Sequence, residues 1–269
     1  MKFLTEDVPP RETAIEVAPG VRRMVADNPS NMTYHGTNTY LLDTAQGVVV
    51  VDPGPDLPAH LAAILRVAGR VAAIVATHSH SDHVQGVPWL REATGAPVWA
   101  FGTRLTADDA LCDGAEMFGW RVLHTPGHLD DHVCLLRDDG VMLSGDHVMG
   151  WSSSVVLPPE GDMADYMMAL ERLLDHSANL YLPGHGPMIA HPHDYVRDLL
   201  AHRRAREAAV LAALDDGETE IAAMVARIYP DLAPVLHPMA ARNVAAHLIK
   251  LEREGRTTQR SMSAGASPG

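Results

Sequence analysis

The chain has 269 residues, of which 46% are hydrophobic and 20% charged, and its formal net charge at pH 7 is −13. This composition excludes disordered, collagen-like and coiled-coil proteins. It indicates a globular chain with one large domain, or one large and one small domain. No stretch approaches the roughly 20 apolar residues that a membrane-spanning helix needs, and residues 1–11 do not resemble a secretory leader. We therefore expect a cytoplasmic protein without membrane contacts.

The first hundred residues alternate apolar runs with turn signals such as Asp52-Pro53-Gly54-Pro55. Strands are predicted at residues 13–17, 39–42, 48–51, 71–76 and 97–100, and helices at residues 57–67 and 85–94. A second strand-rich stretch follows. It has predicted strands at residues 121–124, 132–136, 141–143 and 180–182, and a helix at residues 162–174 that Asp162 caps. Two sheets flanked by helices explain this order, so we predict an α/β fold.

The last quarter of the chain is predicted to be helical. Helices are expected at residues 193–214, 219–228 and 239–254, with Thr219 as the N-cap of the second. We therefore divide the chain into a catalytic domain at residues 1–190, a helical domain at residues 191–260 and a flexible tail at residues 261–269.

Histidine is the most unusual feature of the composition. The chain contains 16 histidines, and because histidine is the commonest metal ligand, this excess points to metal. The two cysteines, Cys112 and Cys134, match no short thiolate pair, so we predict free buried thiols.

The segment Thr77-His78-Ser79-His80-Ser81-Asp82-His83 directly follows a predicted strand. Residues two positions apart in an extended segment point the same way, so His78 and His80 can bind one ion. Asp82 and His83 lie past the bend and can reach a second. A polar turn with Asp82 capping the next helix is the structural alternative. Three histidines and an aspartate within six positions favour a site for two metal ions.

Three further candidates lie at the ends of later predicted strands, where an α/β sheet places its functional loops. They are His128 in a Pro-Gly-His turn, Asp146 in a Ser-Gly-Asp turn, and His185 between two glycines. Each alone is better explained by an ordinary turn. Together with the first motif they complete a ligand set.

The chemistry of the donors indicates the metal. Five imidazoles and two carboxylates without thiolate suit Zn²⁺, although the same set also accepts iron or manganese. We predict two zinc ions per chain, the first bound by His78, His80 and His128, the second by Asp82, His83 and His185, with Asp146 bridging them. Two ions about 3.5–4 Å apart generate hydroxide near neutral pH, so the predicted nucleophile is metal-bound hydroxide.

The pattern His-x-His-x-Asp-His, followed by isolated His, Asp and His, resembles that of the metallo-β-lactamase-fold hydrolase superfamily. The resemblance implies an αββα sandwich of two mixed sheets with the metals at one edge. A closer similarity, to the β-lactamase-like protein 2 group, covers nearly the whole chain. It rests on Gly36-Thr37-Asn38-Thr39-Tyr40, Asp130-Asp131-His132, Tyr166, His202-Arg203, Met239-Ala240, Asn243 and His247-Leu248. That resemblance implies a winged-helix-like C-terminal domain and cleavage of single-stranded RNA. The chain departs from the family pattern after Gly255, where its short tail predicts a wing that is either truncated or absent.

Two substrate classes follow for the predicted hydrolase, in which Asp82 holds the hydroxide in line while serving as a ligand. The first is the phosphodiester of single-stranded RNA, which rests on the resemblance. The second is a small acyl compound, namely a hydroxyacylglutathione-type thioester, a lactone or a β-lactam, which the net charge of −13 favours. A hypothesis of another class is a non-catalytic nucleic-acid-binding protein, which the complete ligand set opposes. We interpret the C-terminal helices first as a docking or homodimer element.

Four residues beside the motifs have two interpretations each. His35 is either a proton donor to the leaving group or a solvated loop residue, and His147 either orients a ligand or packs. His132 is better explained as a hydrogen-bonded core residue than as part of the site. Trp151 either offers the substrate a stacking face or packs inward.

Four arginines on the predicted helix at residues 193–214 could meet phosphate. The acids interleaved with them favour an ordinary solvated helix face instead. The arginines are Arg197, Arg203, Arg204 and Arg206.

Overall fold

The computed structural model describes residues 2–257, in which a seven-stranded and a five-stranded sheet pack face to face. The first sheet consists of β1 (Ile15–Ala18), β2 (Val21–Val25), β3 (Asn38–Thr44), β4 (Gly47–Val51), β5 (Val71–Val75), β6 (Val98–Ala100) and β7 (Asp109–Ala110). The second consists of β8 (Glu116–Met117), β9 (Trp120–His124), β10 (Val133–Arg137), β11 (Val141–Gly145) and β12 (Leu180–Pro183). The helices are α1 (Pro58–Ala68), α2 (Ser81–Val84), α3 (Val87–Thr94), α4 (Met163–Leu173), α5 (Pro192–Asp215), α6 (Ile221–Ile228) and α7 (His237–Arg253).

Both sheets are mixed. In the first, the strands follow in chain order, with antiparallel pairs from β1 to β4 and parallel pairs from β4 to β7. In the second, the order is β12-β11-β10-β9-β8, and only β11 and β12 are parallel.

Strand β4 shows why the chain forms layers. Because side chains alternate along a strand, Val49 and Val51 face the apolar core between the two sheets. Val48 and Val50 face a second core against α1 and α3. A third core joins the second sheet to α4 and to the first half of α5. The predicted αββα sandwich is therefore confirmed.

Helices α5, α6 and α7 enclose a fourth core, which includes Val210, Val225 and Val244. No strand follows β12 within residues 2–257, and the predicted tail at residues 261–269 lies outside them. No helix in this part of the chain combines the length and apolarity that crossing a membrane requires. The division of the chain at residue 190 stays a prediction.

Several local predictions were wrong. The helix expected at residues 85–94 is α3, which begins two residues later because the chain turns at Gly86 and Pro88 lies in the first turn; the short helix α2 before it was not predicted. The N-cap of α6 is Glu220 rather than Thr219. Cys134 is buried as expected, but Cys112 is exposed. Strand β2 was missed because paired arginines interrupt its apolar pattern.

The turn Thr125-Pro126-Gly127-His128 lies against the backbone of α4. A Cβ added at Gly127 would overlap the backbone nitrogen and Cα of Tyr166, and Gly127 has φ +127, which other residues rarely adopt. The glycine therefore allows the close contact with α4 that fixes the position of the His128 backbone.

We expect Gly127→Ala to lower the free energy of unfolding by about 3 kcal/mol or more, because backbone strain adds to an overlap that no side-chain movement relieves. Urea titration measures the change. The control is Gly95→Ala, whose Cβ would meet nothing within 4 Å at φ +66, with an expected cost of about 1–2 kcal/mol. Equal losses in the two variants would contradict the tight packing of this turn.

Candidate metal centre

The ends of strands from both sheets meet at one edge of the sandwich. Backbone N–H groups join the sheets there, from Asn38 to Gly184 O and from Val133 to Thr77 O, both at 2.8 Å. The seven predicted ligands all lie at this edge, on the segments that follow β5, β9, β11 and β12.

A first cluster contains His78, His80, His128 and Asp146. His80 Nδ1 lies 3.0 Å from His78 Nε2 and 2.9 Å from His128 Nε2. Asp146 Oδ2 lies 3.9 Å from His78 Nε2 and 3.7 Å from His128 Nε2.

A second cluster contains Asp82, His83 and His185. The Nε2 atoms of the two histidines are 3.3 Å apart, and Asp82 Oδ2 lies 3.5 Å from His83 Nε2 and 3.3 Å from His185 Nε2. Asp146 reaches this cluster too, with Oδ1 at 3.5 Å from His83 and Oδ2 at 3.3 Å from His185. Its carboxylate thus lies between the clusters, as the bridging position requires.

These distances fit a metal ion. Four ligand atoms in a tetrahedron around Zn²⁺ at 2.0–2.1 Å are separated by about 3.3 Å. The separations in both clusters, 2.9–3.9 Å and 3.3–3.5 Å, bracket this value. That the seven side chains bind metal stays a prediction, but the structure brings all of them together.

The charge of the second cluster favours a bound cation. Burial alone lowers the pKa of His185, but the carboxylates of Asp146 and Asp82 reverse the effect and raise it to about 9. Burial likewise lowers the pKa of His83, and the neighbouring carboxylates raise it well above its usual value. The pocket is therefore negative, and divalent ions would supply the positive charge that protons otherwise provide.

The first cluster has the opposite character. Burial lowers the pKa of His128 to about 4 and that of His78 well below its usual value. Both rings are therefore neutral at pH 7, as metal ligation requires.

Asp52 is a candidate site residue that the sequence interpretation missed. Only 1% of it is exposed, and its Oδ2 accepts hydrogen bonds from His83 Nδ1 at 2.9 Å and Thr77 Oγ1 at 2.7 Å. Its Oδ1 accepts from the Thr77 N–H at 2.8 Å. Such a carboxylate fixes the ring orientation of a metal-ligating histidine. Asp52 directly follows β4, and β4 pairs in parallel with β5, the strand that the histidine motif follows. This position could have identified Asp52 as a site residue.

Two further contacts orient predicted ligands. His128 Nδ1 donates to Val155 O at 2.6 Å, which leaves Nε2 to face the cluster. Asp82 Oδ2 accepts from Thr37 Oγ1 at 3.0 Å. The predicted core role of His132 is confirmed, because its buried ring accepts from the Asp146 N–H at 3.1 Å.

The remaining candidates divide between packing and surface roles. His35 bonds to Glu6 O at 3.1 Å rather than to a ligand. His147 packs against Tyr166, with ring centroids 4.7 Å apart, and within residues 2–257 neither ring nitrogen has a hydrogen-bond partner. Trp151 is half-buried, lines the cleft described next, and stacks on Tyr34.

The predicted solvated arginine face is confirmed only in part. Arg197 and Arg204 form exposed ion pairs with Asp194 and Glu171. Arg203, in contrast, is buried.

A cleft of about 230 Å³ opens over both clusters, and His80, Asp82, His128, Asp146 and His185 form its floor. Its walls are mainly apolar. They include Met32, Leu129, Met149, Trp151, Val155 and Leu157. Within residues 2–257, no lysine or arginine lines it, and Glu160 adds negative charge at its wall.

Known proteins are similar to this chain in sequence and in fold. A model of the metallo-β-lactamase superfamily matches residues 32–107, and a model of the β-lactamase-associated winged helix domain matches residues 221–265. The chain is 34% identical over 267 residues to the β-lactamase-like protein 2 homolog of Drosophila melanogaster, covering 88% of this chain and 89% of that protein. It is 29% identical over 230 residues to the atrochrysone carboxyl ACP thioesterase of Claviceps purpurea, covering 80% and 71%.

A crystal structure of a β-lactamase domain protein from Burkholderia ambifaria has the same fold, with a TM-score of 0.82 at 24% identity. The match covers 97% of this chain and 94% of that one. Fold and sequence thus define a hydrolase of the metallo-β-lactamase superfamily with a C-terminal winged-helix domain. Within that superfamily, the chain belongs to the β-lactamase-like protein 2 family.

We expect Asp52→Asn to weaken zinc binding by roughly 10- to 100-fold, because the amide is a poorer acceptor for the His83 N–H than the carboxylate. Competition with a chromogenic chelator measures the affinity. The control is Asp43→Asn, which removes an exposed ion pair with Arg22 from the same sheet and should leave zinc affinity unchanged. Unchanged affinity in Asp52→Asn would show that this carboxylate does not support a metal ligand.

Proposed function

We propose that this hydrolase is a dinuclear metal enzyme that cleaves small acyl compounds, with thioesters as the favoured class. The observation that carries the proposal is the cleft, whose floor is formed by residues of the two clusters and whose walls are mainly apolar and include no lysine or arginine among residues 2–257. A carbonyl compound with an apolar acyl group matches such a cleft.

The metal assignment rests on the donor set. His78, His80 and His128 would hold one ion, Asp82, His83 and His185 the other, and Asp146 would contribute to both. Zinc suits these ligands best, and iron or manganese also suits them. When bound, such a pair lowers the pKa of water and stabilises negative charge on a reacting carbonyl oxygen.

Asp82 and Asp146 both line the cleft, and Asp82 is the more exposed of the two. Its side chain is 29% exposed, whereas that of Asp146 is 8% exposed. Burial alone raises the pKa of Asp82, but His83 and His185 hold it below its usual value, so the carboxylate is ionised at neutral pH. Thr37 fixes its orientation. We assign Asp82 the role of accepting a hydrogen bond from the attacking water and holding it in line with the carbonyl carbon.

Charge opposes the RNA hypothesis. An extended phosphodiester would approach a chain of net charge −13 through a cleft walled by Glu160. Arg104, which lies beside Glu160, is already paired with Asp130 at 2.5 Å and with Glu160 at 3.6 Å. The thioesterase named among the relatives supports the acyl class. The cytoplasmic location and the homodimer stay predictions.

The decisive experiment is a substrate panel with zinc-replete protein: acyl thioesters of increasing chain length, a lactone, a β-lactam and a labelled unstructured RNA oligonucleotide. We expect thioesters to turn over, with kcat/KM rising about fourfold per methylene, since each buried methylene contributes about 0.8 kcal/mol. The increase should stop where the chain outgrows the cleft.

The control for this panel is His80→Ala, which removes a ligand from the first cluster and should abolish the turnover. Hydrolysis of the oligonucleotide alone would overturn the acyl proposal in favour of the RNA hypothesis. Retention of RNA by both proteins, with hydrolysis of nothing, would support the binding-protein hypothesis.

A further inference from the structure

Arg203 is a buried cation that has no acidic partner among the residues that the structure describes. Only 2% of the residue is exposed, although it lies on α5 between surface positions. In the part of the chain that the structure describes, its guanidinium contacts a carbonyl, an amide oxygen and a ring, and forms no ion pair with a carboxylate. Burying a charge in this way is unfavourable unless the contacts it makes compensate for the hydration that it loses.

The three contacts of Arg203 join separate parts of the fold. Nη2 donates to the backbone carbonyl of Ser154, in the loop that lines the cleft. Nη1 donates to Asn243 Oδ1 at 3.0 Å, on α7. The guanidinium carbon lies 5.2 Å from the ring centroid of Tyr166, on α4. Asn243 falls within the residues that match the winged helix model.

The loop that Arg203 holds also orients the first cluster. Ser154 Oγ lies 2.5 Å from the carbonyl oxygen of Asp146 and 2.8 Å from that of His147, so it ties the loop to the bridging residue. The next carbonyl, that of Val155, accepts the Nδ1–H of His128 at 2.6 Å. The adjacent carbonyls of Ser154 and Val155 therefore connect the guanidinium of Arg203 to the ring of His128, a predicted ligand.

Tyr166 adds a second link. Its hydroxyl donates to His147 O at 3.0 Å, and its backbone supports the turn at Gly127 that precedes His128. The ring that Arg203 contacts thus belongs to Tyr166, whose backbone also supports the turn that leads into His128.

We propose that Arg203 is a positioning residue for the first cluster, through which the C-terminal helices take part in building the metal centre. The proposal rests on the proposed function, since it assigns His128 to a metal ion. Arginine suits the role because its planar fork bonds two oxygens in fixed directions, whereas lysine is a point charge on a flexible stem. The C-terminal helices then have a function in this chain that requires no nucleic acid.

The test measures zinc binding, not hydrolysis. Zinc affinity of Arg203→Met is determined by competition with a chromogenic chelator, and His128→Ala identifies which of the two binding steps belongs to the first cluster. We expect Arg203→Met to weaken that step by roughly 10- to 100-fold and to leave the other within about threefold, the pattern that loss of an outer contact to a metal ligand produces. A purely structural role would lower thermal stability without separating the two steps.

The matched control is Arg204→Met, which changes the neighbouring arginine, whose ion pair with Glu171 is exposed. It should bind both ions like the unmodified chain. Should Arg203→Met fail to fold, Arg203→Lys takes its place, with the same step expected to weaken several-fold.

Two outcomes separate this inference from the proposed function. A folded Arg203 variant that binds both ions as tightly as Arg204→Met would overturn the positioning role while leaving the metal centre intact. An unmodified chain that binds no zinc would refute the proposed function, and the inference with it.

Discussion

Two carboxylates with almost no access to water, those of Asp52 and Asp146, lie against the same imidazole ring of His83. A third, that of Asp82, lies 3.5 Å from the same ring. Burying so much negative charge in one pocket is unfavourable without compensating positive charge. Protons on His83 and His185 supply part of this positive charge. Two divalent cations would supply more of it, and the side chains that would bind them are already at the separations that a metal ion requires. The fold around this edge is best understood as the support that keeps these groups together.

The support comes from both sheets and from the helices behind them. Parallel strands β4 and β5 end side by side and deliver Asp52 and the histidine motif, while β11 and β12 deliver Asp146 and His185 from the opposite sheet. Neither sheet alone contains a full ligand set. Helices α5 and α7 contribute to this support as well. Arg203 of α5 donates a hydrogen bond to the loop behind His128 and another to Asn243 of α7.

Much of this arrangement could be predicted because its signals are local. The histidine motif follows a short run of β-branched and small apolar residues that is typical of a buried strand, and the glycine-flanked His128, Asp146 and His185 follow later strands. Asp52 escaped notice because a Pro-Gly-Pro run after it explains it equally well as a turn. Its role depends on the neighbouring parallel strand, which sequence order does not reveal. Arg203 was misassigned because its neighbours along α5 are solvated, and only the position of α7 shows that its own side chain is covered.

The central claim is that the seven side chains converge on a pair of metal ions. Crystals of the zinc-replete protein, measured on both sides of the zinc absorption edge, test it most directly. We predict two anomalous peaks about 3.5–4 Å apart, one among His78, His80 and His128 and the other among Asp82, His83 and His185. Fully zinc-replete crystals with no peak at this edge, or with peaks only on other parts of the surface, would contradict it.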